Sequence, residues 1–218
     1  MSASPKLNPD AHKVITEFIK GLVASAKARG CLVGLSGGVD SSLVAKLCVD
    51  ALGKSHVLGI MLPMPDSDPS DMSDAKIIAR LLGIKTEVVR IGPMVKAFTT
   101  SLRPTEKELG NIKARCRMIV LHQRAMRAHL LVAGTGNKSE LLVGYFTKYG
   151  DGGVDLLPIG DLYKTQVWAM SKDLGLPEKV VAKVPTAGLW KGQTDEGEMG
   201  IRYANLDKVL YGIERGIS

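Results

Sequence analysis

The sequence has no run of apolar residues approaching the roughly 18 that a membrane-spanning helix requires, so no membrane partner is expected. Its opening, MSASPKLNPDAHK, lacks the apolar stretch of a secretory signal. Cysteine is scarce: Cys31, Cys48 and Cys116 are odd in number, scattered and in no metal-ligand spacing. That pattern argues against a disulfide scaffold or a zinc cluster, and a reducing, cytoplasmic home is the expectation. Aromatics make up only 5% of the chain, with no stacking platform for single-stranded bases. The four histidines show no ligand spacing beyond His122 and His129, seven apart, and read as surface or helix-flank residues. No repeat or linker breaks the 218 residues, which fit one domain, 1–218, with a sizeable core.

What the chain does carry is positive charge. A formal net charge of +7 favours anionic partners, but charge alone does not separate nucleic acid from a polyphosphate substrate.

Hydrophobic periodicity supplies the architecture. Residues 9–29 read as an amphipathic helix with apolar side chains at Val14, Ile15, Phe18, Ile19, Leu22 and Val23, stopped by Gly30. The run Cys31–Leu35 reads as a buried strand, followed by a helix reaching about Leu52. Val57–Leu62 reads as a strand, Asp71–Leu82 as a helix and Lys85–Ile91 as a further strand. A long helix is expected from about Thr105 to His129, then a strand at Leu130–Ala133. Residues 145–161 and 187–198 read as loops, the second mobile, with a helix at Lys164–Leu174 between them. Strands alternating with helices imply an α/β fold, a parallel sheet with helices on both faces. Ligands in such folds bind beyond the carboxyl ends of the strands, where Ser36–Ser42 and Gly134–Glu140 fall.

The first of these runs is Gly34-Leu35-Ser36-Gly37-Gly38-Val39-Asp40-Ser41-Ser42. Paired glycines let backbone approach a ligand closely, and the following helix presents free N–H groups and a positive dipole end to phosphate. The spacing is too short for a Walker A loop, and the Lys-Ser/Thr ending is absent. The alternative, a glycine-rich turn with Asp40 only capping the helix, has to explain the serines and the strand–loop–helix context together. The SGGVDS run resembles the pyrophosphate loop of the N-type ATP pyrophosphatases, which attack the α-phosphate of ATP and release pyrophosphate.

Further runs narrow the resemblance. They are GNIKAR (110–115), GTGNKSE (134–140), GYFTKYGDG (144–152), LYK (162–164), KVPT (183–186) and GQTDE (192–196). In order and spacing they resemble ammonia-dependent NAD synthetases over roughly residues 10–205, with KYGDG and GQTDE the most specific.

The resemblance implies an adenine nucleotide alpha hydrolase-like, Rossmann-like fold, and amidation of deamido-NAD by ammonia through an adenylate, with AMP and pyrophosphate released. By position it implies ATP contacts at Gly34, Leu35, Ser36, Gly37, Gly38, Val39, Asp40, Ser41, Thr135, Lys164 and Thr186. Deamido-NAD contacts would be Arg115, Lys148 and Asp155, with Mg2+ held by Asp40 and Glu140. Asp and Glu are hard oxygen ligands suited to magnesium shared with phosphate oxygens. As a lone residue, Glu140 reads equally well as a first-turn acid favoured by the helix dipole. Lys164 would offset charge developing at the α-phosphate, in an unfavourable place for a cation, a helix start. Asp40, Lys164 and Asp151 are the expected catalytic set. Asp151 and Asp155 are expected to receive or deprotonate ammonium, although Asp-Gly-Gly is also an ordinary turn sequence. The family builds its dinucleotide site near a dimer interface, so a homodimer is implied.

On the long helix, at 100° per residue, Lys113, Arg117, Arg124 and Arg127 fall within about 80° of arc. That arc reads as a solvated face or a subunit contact, with nucleic acid the less favoured partner. Ile112, Cys116, Ile119, Met126 and Leu130 form the adjacent apolar stripe, and Arg115 lies across it, calling for an anionic partner of its own. Trp168 is expected to be buried on its helix, and Trp190 to cover the site on closure. No glutaminase portion is expected, so ammonia would come free or from a separate partner. The family's usual basic His-Lys pair near the C-terminus has no counterpart in the final residues 211–218. The competing readings are another adenylate-forming ATP pyrophosphatase, either an amidoligase or a tRNA-modifying enzyme, and a nucleotide- or RNA-binding module that keeps the loop. Dispersed cysteines argue against tRNA thiolation.

Overall fold

Four short strands, Cys31–Gly34 (β1), Val57–Met61 (β2), Lys85–Val88 (β3) and Leu131–Ala133 (β4), form one parallel sheet in the order β3-β2-β1-β4. The computed structural model describes residues 4–190 and 192–216. Side chains alternate across the sheet with the period of two that strands impose. Cys31, Val33, Val57, Met61 and Ala133 enter one core, and Leu32, Ile60 and Val132 the other.

The first core is covered by Ala11–Ser25 (α1), Val39–Leu52 (α2) and Pro69–Leu82 (α3). Lys164–Asp173 (α7) and Glu178–Val181 (α8) complete that face. The second face is covered by Gly92–Leu102 (α4) and Glu106–Ala128 (α5). Local signals explain the ends. The α3 helix begins with the Asp68 side chain accepting from the Ser70 amide and Pro69 in the first turn, and ends at left-handed Gly83. A reciprocal Thr105–Glu108 capping box starts α5.

The observed elements follow the sequence expectations with ends trimmed by a few residues, except that β3 stops at Val88 rather than Ile91. Four helices go beyond them: α4, Lys138–Val143 (α6), α8, and Tyr203–Glu214 (α10). A fifth, Asp195–Met199 (α9), corrects the reading of 187–198 as one mobile loop; the Thr194 side chain caps it by accepting from the Gly197 amide. Lys191 in that stretch, and Ile217 and Ser218, lie outside the described residues.

The basic arc of α5 is corrected at Lys113 and Arg117, while Arg127 is exposed as a solvated face requires. Lys113 is buried, donating to Asp66 at 3.0 Å and to the Leu189 carbonyl at 2.7 Å, and the Arg117 Nε donates to the Leu62 carbonyl at 3.4 Å. Conversely, Ile119 and Met126 of the apolar stripe are exposed. No helix among the described residues is long and apolar enough to cross a membrane.

Strand order places the site. The chain runs outward from β1 to β2 and β3, then crosses back to add β4 on the other side of β1. The loops leaving β1 and β4 therefore diverge, and the crevice between them is where such sheets bind ligands.

Candidate active site

A cleft of about 470 Å³ opens at this crevice. Its walls include Gly34–Ser36, Gly38–Ser41, Gly134–Gly136, Lys164 and Thr186. The phosphate-loop geometry is internally tied. The Ser36 and Ser41 hydroxyls lie 3.0 Å apart, the Gly38 amide donates to Ser36 Oγ, and Ser41 Oγ and Ser42 Oγ donate to the Gly38 carbonyl. Gly37 has φ +85°, and a Cβ there would lie 2.3 Å from the Asp71 carbonyl oxygen, so only glycine fits. The α2 helix has no side-chain cap, which leaves its first-turn amides available to an anion.

Asp40 is not that helix's cap. One carboxylate oxygen accepts from Asn137 Nδ2 at 3.1 Å, the other from Lys164 Nζ at 2.5 Å. Glu140 is the first-turn acid the sequence allowed, and it also faces Lys164. Its Oε2 accepts from the Asn137 amide in a capping box, while Oε1 lies 3.8 Å from Lys164 Nζ and accepts from the Tyr203 hydroxyl at 3.2 Å. Asp195 joins them through Tyr203, whose hydroxyl is also 3.2 Å from Asp195 Oδ2. Lys164 is 1% exposed. Burial opposes its charge, yet Asp40 and Glu140 outweigh it and hold the lysine above its ordinary value. For Glu140, burial and then Asp40 push the carboxyl up to about 8. Burial also raises Asp195. Asp40 and Glu140 thus flank one buried ammonium, with Asp195 adding to its field from further off, and the raised Glu140 carboxyl holds a proton rather than a second full negative charge.

The other wall belongs to the 186–198 segment. Thr186 Oγ1 donates to the Gln193 carbonyl, Gln193 Nε2 donates to Glu198, and Tyr145 Oη donates to Glu198 at 2.6 Å. Trp190 lines the cleft, half-buried. Trp168 is half-buried on α7, edge-on to the Tyr203 ring. Asp151 sits on the cleft wall, accepting from the Thr147 amide at 2.9 Å. The protein packed around it raises its carboxyl, against the Thr147 amide and Arg117, which act to lower it.

Of the residues singled out in the sequence, the cleft gathers the phosphate loop, Thr135, Glu140, Asp151, Lys164 and Thr186. Arg115, Lys148 and Asp155 stand outside it. Arg115 is exposed, and its Nε donates to the Lys148 carbonyl at 3.3 Å rather than to an anion. The Lys148 ammonium lies over the Tyr149 ring, and Asp155 Oδ2 accepts from the β4 amide of Val132 at 2.7 Å. Sequence reasoning missed Asn137, Tyr145, Asp195 and Tyr203. Asn137 and Asp195 lie within the GTGNKSE and GQTDE runs, which was the available signal; Tyr203 had none.

Comparison with known proteins agrees with this geometry. The family model "NAD synthase" matches residues 11–218. The chain is 50% identical over 211 residues to the NH(3)-dependent NAD(+) synthetase of Methanosarcina acetivorans, covering 94% of this chain and 82% of that one. It is also 50% identical over 204 residues to the Archaeoglobus fulgidus protein of the same name, covering 93% and 83%. Among solved structures, NMN synthetase from Francisella tularensis superposes with a TM-score of 0.90 at 36% identity, over 95% of this chain and 87% of that one. The NH3-dependent NAD synthetase of Campylobacter jejuni gives 0.82 at 33%, over 95% and 83%. The sheet order, the phosphate loop at its switch point and these matches lead to one conclusion: the chain belongs to the NAD synthase family, with its Rossmann-like adenine nucleotide alpha hydrolase fold.

Proposed function

We propose that this chain is a cytoplasmic, ammonia-dependent NAD synthetase acting as one domain over 1–218, a homodimer that uses ATP and Mg2+. The observation that carries the site assignment is the meeting of Asp40 and Glu140 at the single buried ammonium of Lys164 beside the phosphate loop, with Asp195 tied in through Tyr203. The donor set fits magnesium: two carboxyl groups, hard oxygen donors, at adjacent strand ends. Among the described residues no three acidic, His or Cys groups form a closed metal cage. Magnesium usually completes its shell with phosphate oxygens and water. When bound by Asp40 and Glu140, it would neutralise phosphate charge.

The chain's own residues do the rest. Gly37, Gly38 and the first-turn amides of α2 hold the departing pyrophosphate, and Lys164 stabilises the charge that builds on the α-phosphate. An oxygen of the nicotinate carboxylate bonds to the α-phosphorus as the bond to pyrophosphate breaks. Ammonia then bonds to the activated carbonyl carbon, and AMP departs with the bridging oxygen. Asp151, on the cleft wall, takes the proton that ammonium gives up. The 186–198 wall keeps water from the adenylate. Arg115, Lys148 and Asp155, outside the cleft, hold the far half of deamido-NAD beside a second copy of the chain.

Incubation with ATP, magnesium, deamido-NAD and ammonium should yield NAD and AMP in equal amounts, and Asp40→Ala should yield neither. ATP cleavage without NAD would reject the substrate. The mononucleotide analogue of deamido-NAD is the comparison substrate, because the Francisella relative is an NMN synthetase.

A further inference from the structure

We propose that Asp207, on α10, is a positioning residue that fixes the place of Lys164 in the active site. The inference rests on Lys164 acting on phosphate, as argued above.

Asp207 and Ser139 are both 0% exposed. The Ser139 hydroxyl donates to Asp207 Oδ1 at 2.5 Å and accepts from the Lys164 amide at 2.9 Å. Asp207 Oδ2 accepts from the next amide, Thr165, at 2.8 Å. Both partners of the Asp207 carboxylate among the described residues are thus uncharged groups, one at the N-terminus of α7 and the other bonded to it. A buried carboxylate is costly without compensation, and a helix N-terminus supplies it.

The same terminus carries Lys164 as its first residue, where the helix dipole disfavours a cation. Asp207 offsets that conflict. It also ties the lysine's backbone to Ser139, the residue before Glu140 on α6, and the Lys138 amide adds a bond to the Leu162 carbonyl. The separation of Lys164 from Asp40 and Glu140 is therefore set through α10. One turn earlier on α10, the Tyr203 ring lies 5.2 Å from Lys164 Nζ, and its hydroxyl reaches Glu140 and Asp195. A helix with no residue in the sequence motifs thus holds three of the charged groups in register.

Asp207→Asn keeps shape and volume but removes the charge, and with its oxygen on the Thr165 N–H its amide nitrogen meets Ser139 Oγ, leaving the Ser139 proton without its acceptor. A misplaced lysine should lower kcat about 10–100-fold while the KM for deamido-NAD holds within about threefold. The decisive form is a cycle with Lys164→Ala, read both by kcat and by calorimetric binding of inorganic pyrophosphate to the full chain. If Asp207 acts through Lys164, adding Asp207→Asn to Lys164→Ala changes neither readout further. Equal losses on both backgrounds would overturn the proposal, as would an unchanged kcat in the single variant. Should Asp207→Asn fail to fold, Ser139→Ala enters the same cycle with the same expected outcome. Lys208→Ala, exposed on the same helix, should match the parent in both readouts. If the parent chain makes no NAD, the substrate assignment fails, while the pyrophosphate cycle still decides the placement of Lys164.

Discussion

Two lysine–carboxylate clusters flank the phosphate loop, and they are balanced differently. On the α3 side, Lys183 lies 2.6 Å from Asp71 and 3.1 Å from Asp74, and Lys179 lies 2.5 Å from Asp74. Two lysines meet two aspartates. Burial opposes the Asp74 charge, but Lys179 and Lys183 prevail and its carboxyl stays below the ordinary value. On the α7 side, one lysine serves Asp40, Glu140 and Asp195, and Glu140 is pushed up to about 8. The balanced cluster is complete and ties α3 to the segment after α7. The unbalanced one has fewer ammonium groups than carboxyls, and burial together with Asp40 raises Glu140. Charge balance, more than the presence of lysine and acid together, separates a structural tie from a chemical site.

The largest expected effect comes from breaking the unbalanced cluster at its centre. Asp40→Ala should abolish NAD formation, and by stranding the buried Lys164 it should cost about 3–5 kcal/mol, read by denaturant unfolding. Lys164→Ala should lower kcat by about 10²–10³-fold in steady-state assays, with the fold intact by circular dichroism. Gly37→Ala joins the two sites, because its Cβ would strike the Asp71 carbonyl oxygen. It should raise the KM for ATP about tenfold or more, by displacing the loop roughly an ångström.

The smallest effect on activity belongs to the balanced cluster. Asp74→Asn should leave kcat within about twofold and lower stability by about 1–2 kcal/mol at pH 7. The sign follows from linkage. The folded-state value of Asp74 is depressed, so its contribution is full above the unfolded value near 3.8 and is lost as pH falls through the folded value. Thermal melts of parent and variant should therefore converge below about pH 3. A constant gap would show that the pair contributes by packing alone.

How far the sequence disclosed this site follows from the range of each contact. The phosphate loop was legible because its strand, glycines and helix are contiguous, and Asp40 and Glu140 sit at matching strand ends. Asp207 was not, since its partners lie 42 and 68 residues away, nor was the contact of Tyr203 with Glu140, 63 residues away. The helical period of α5 gave the direction of Lys113 and Arg117 but not what covers them. The 63–68 and 186–194 segments fold over that face, making a charged arc into a cleft wall. Arg115, Lys148 and Asp155, drawn from the resemblance, lie outside the cleft lining.

The most direct test of the account follows one oxygen atom. Deamido-NAD labelled with 18O in both carboxylate oxygens should pass one 18O to AMP, because AMP leaves with the oxygen that bridged it to the carbonyl carbon. Mass spectrometry of the two products should show AMP and NAD each carrying one label. Unlabelled AMP would contradict activation of the carboxylate as an adenylate, and with it the role assigned to Lys164 and its three carboxylates.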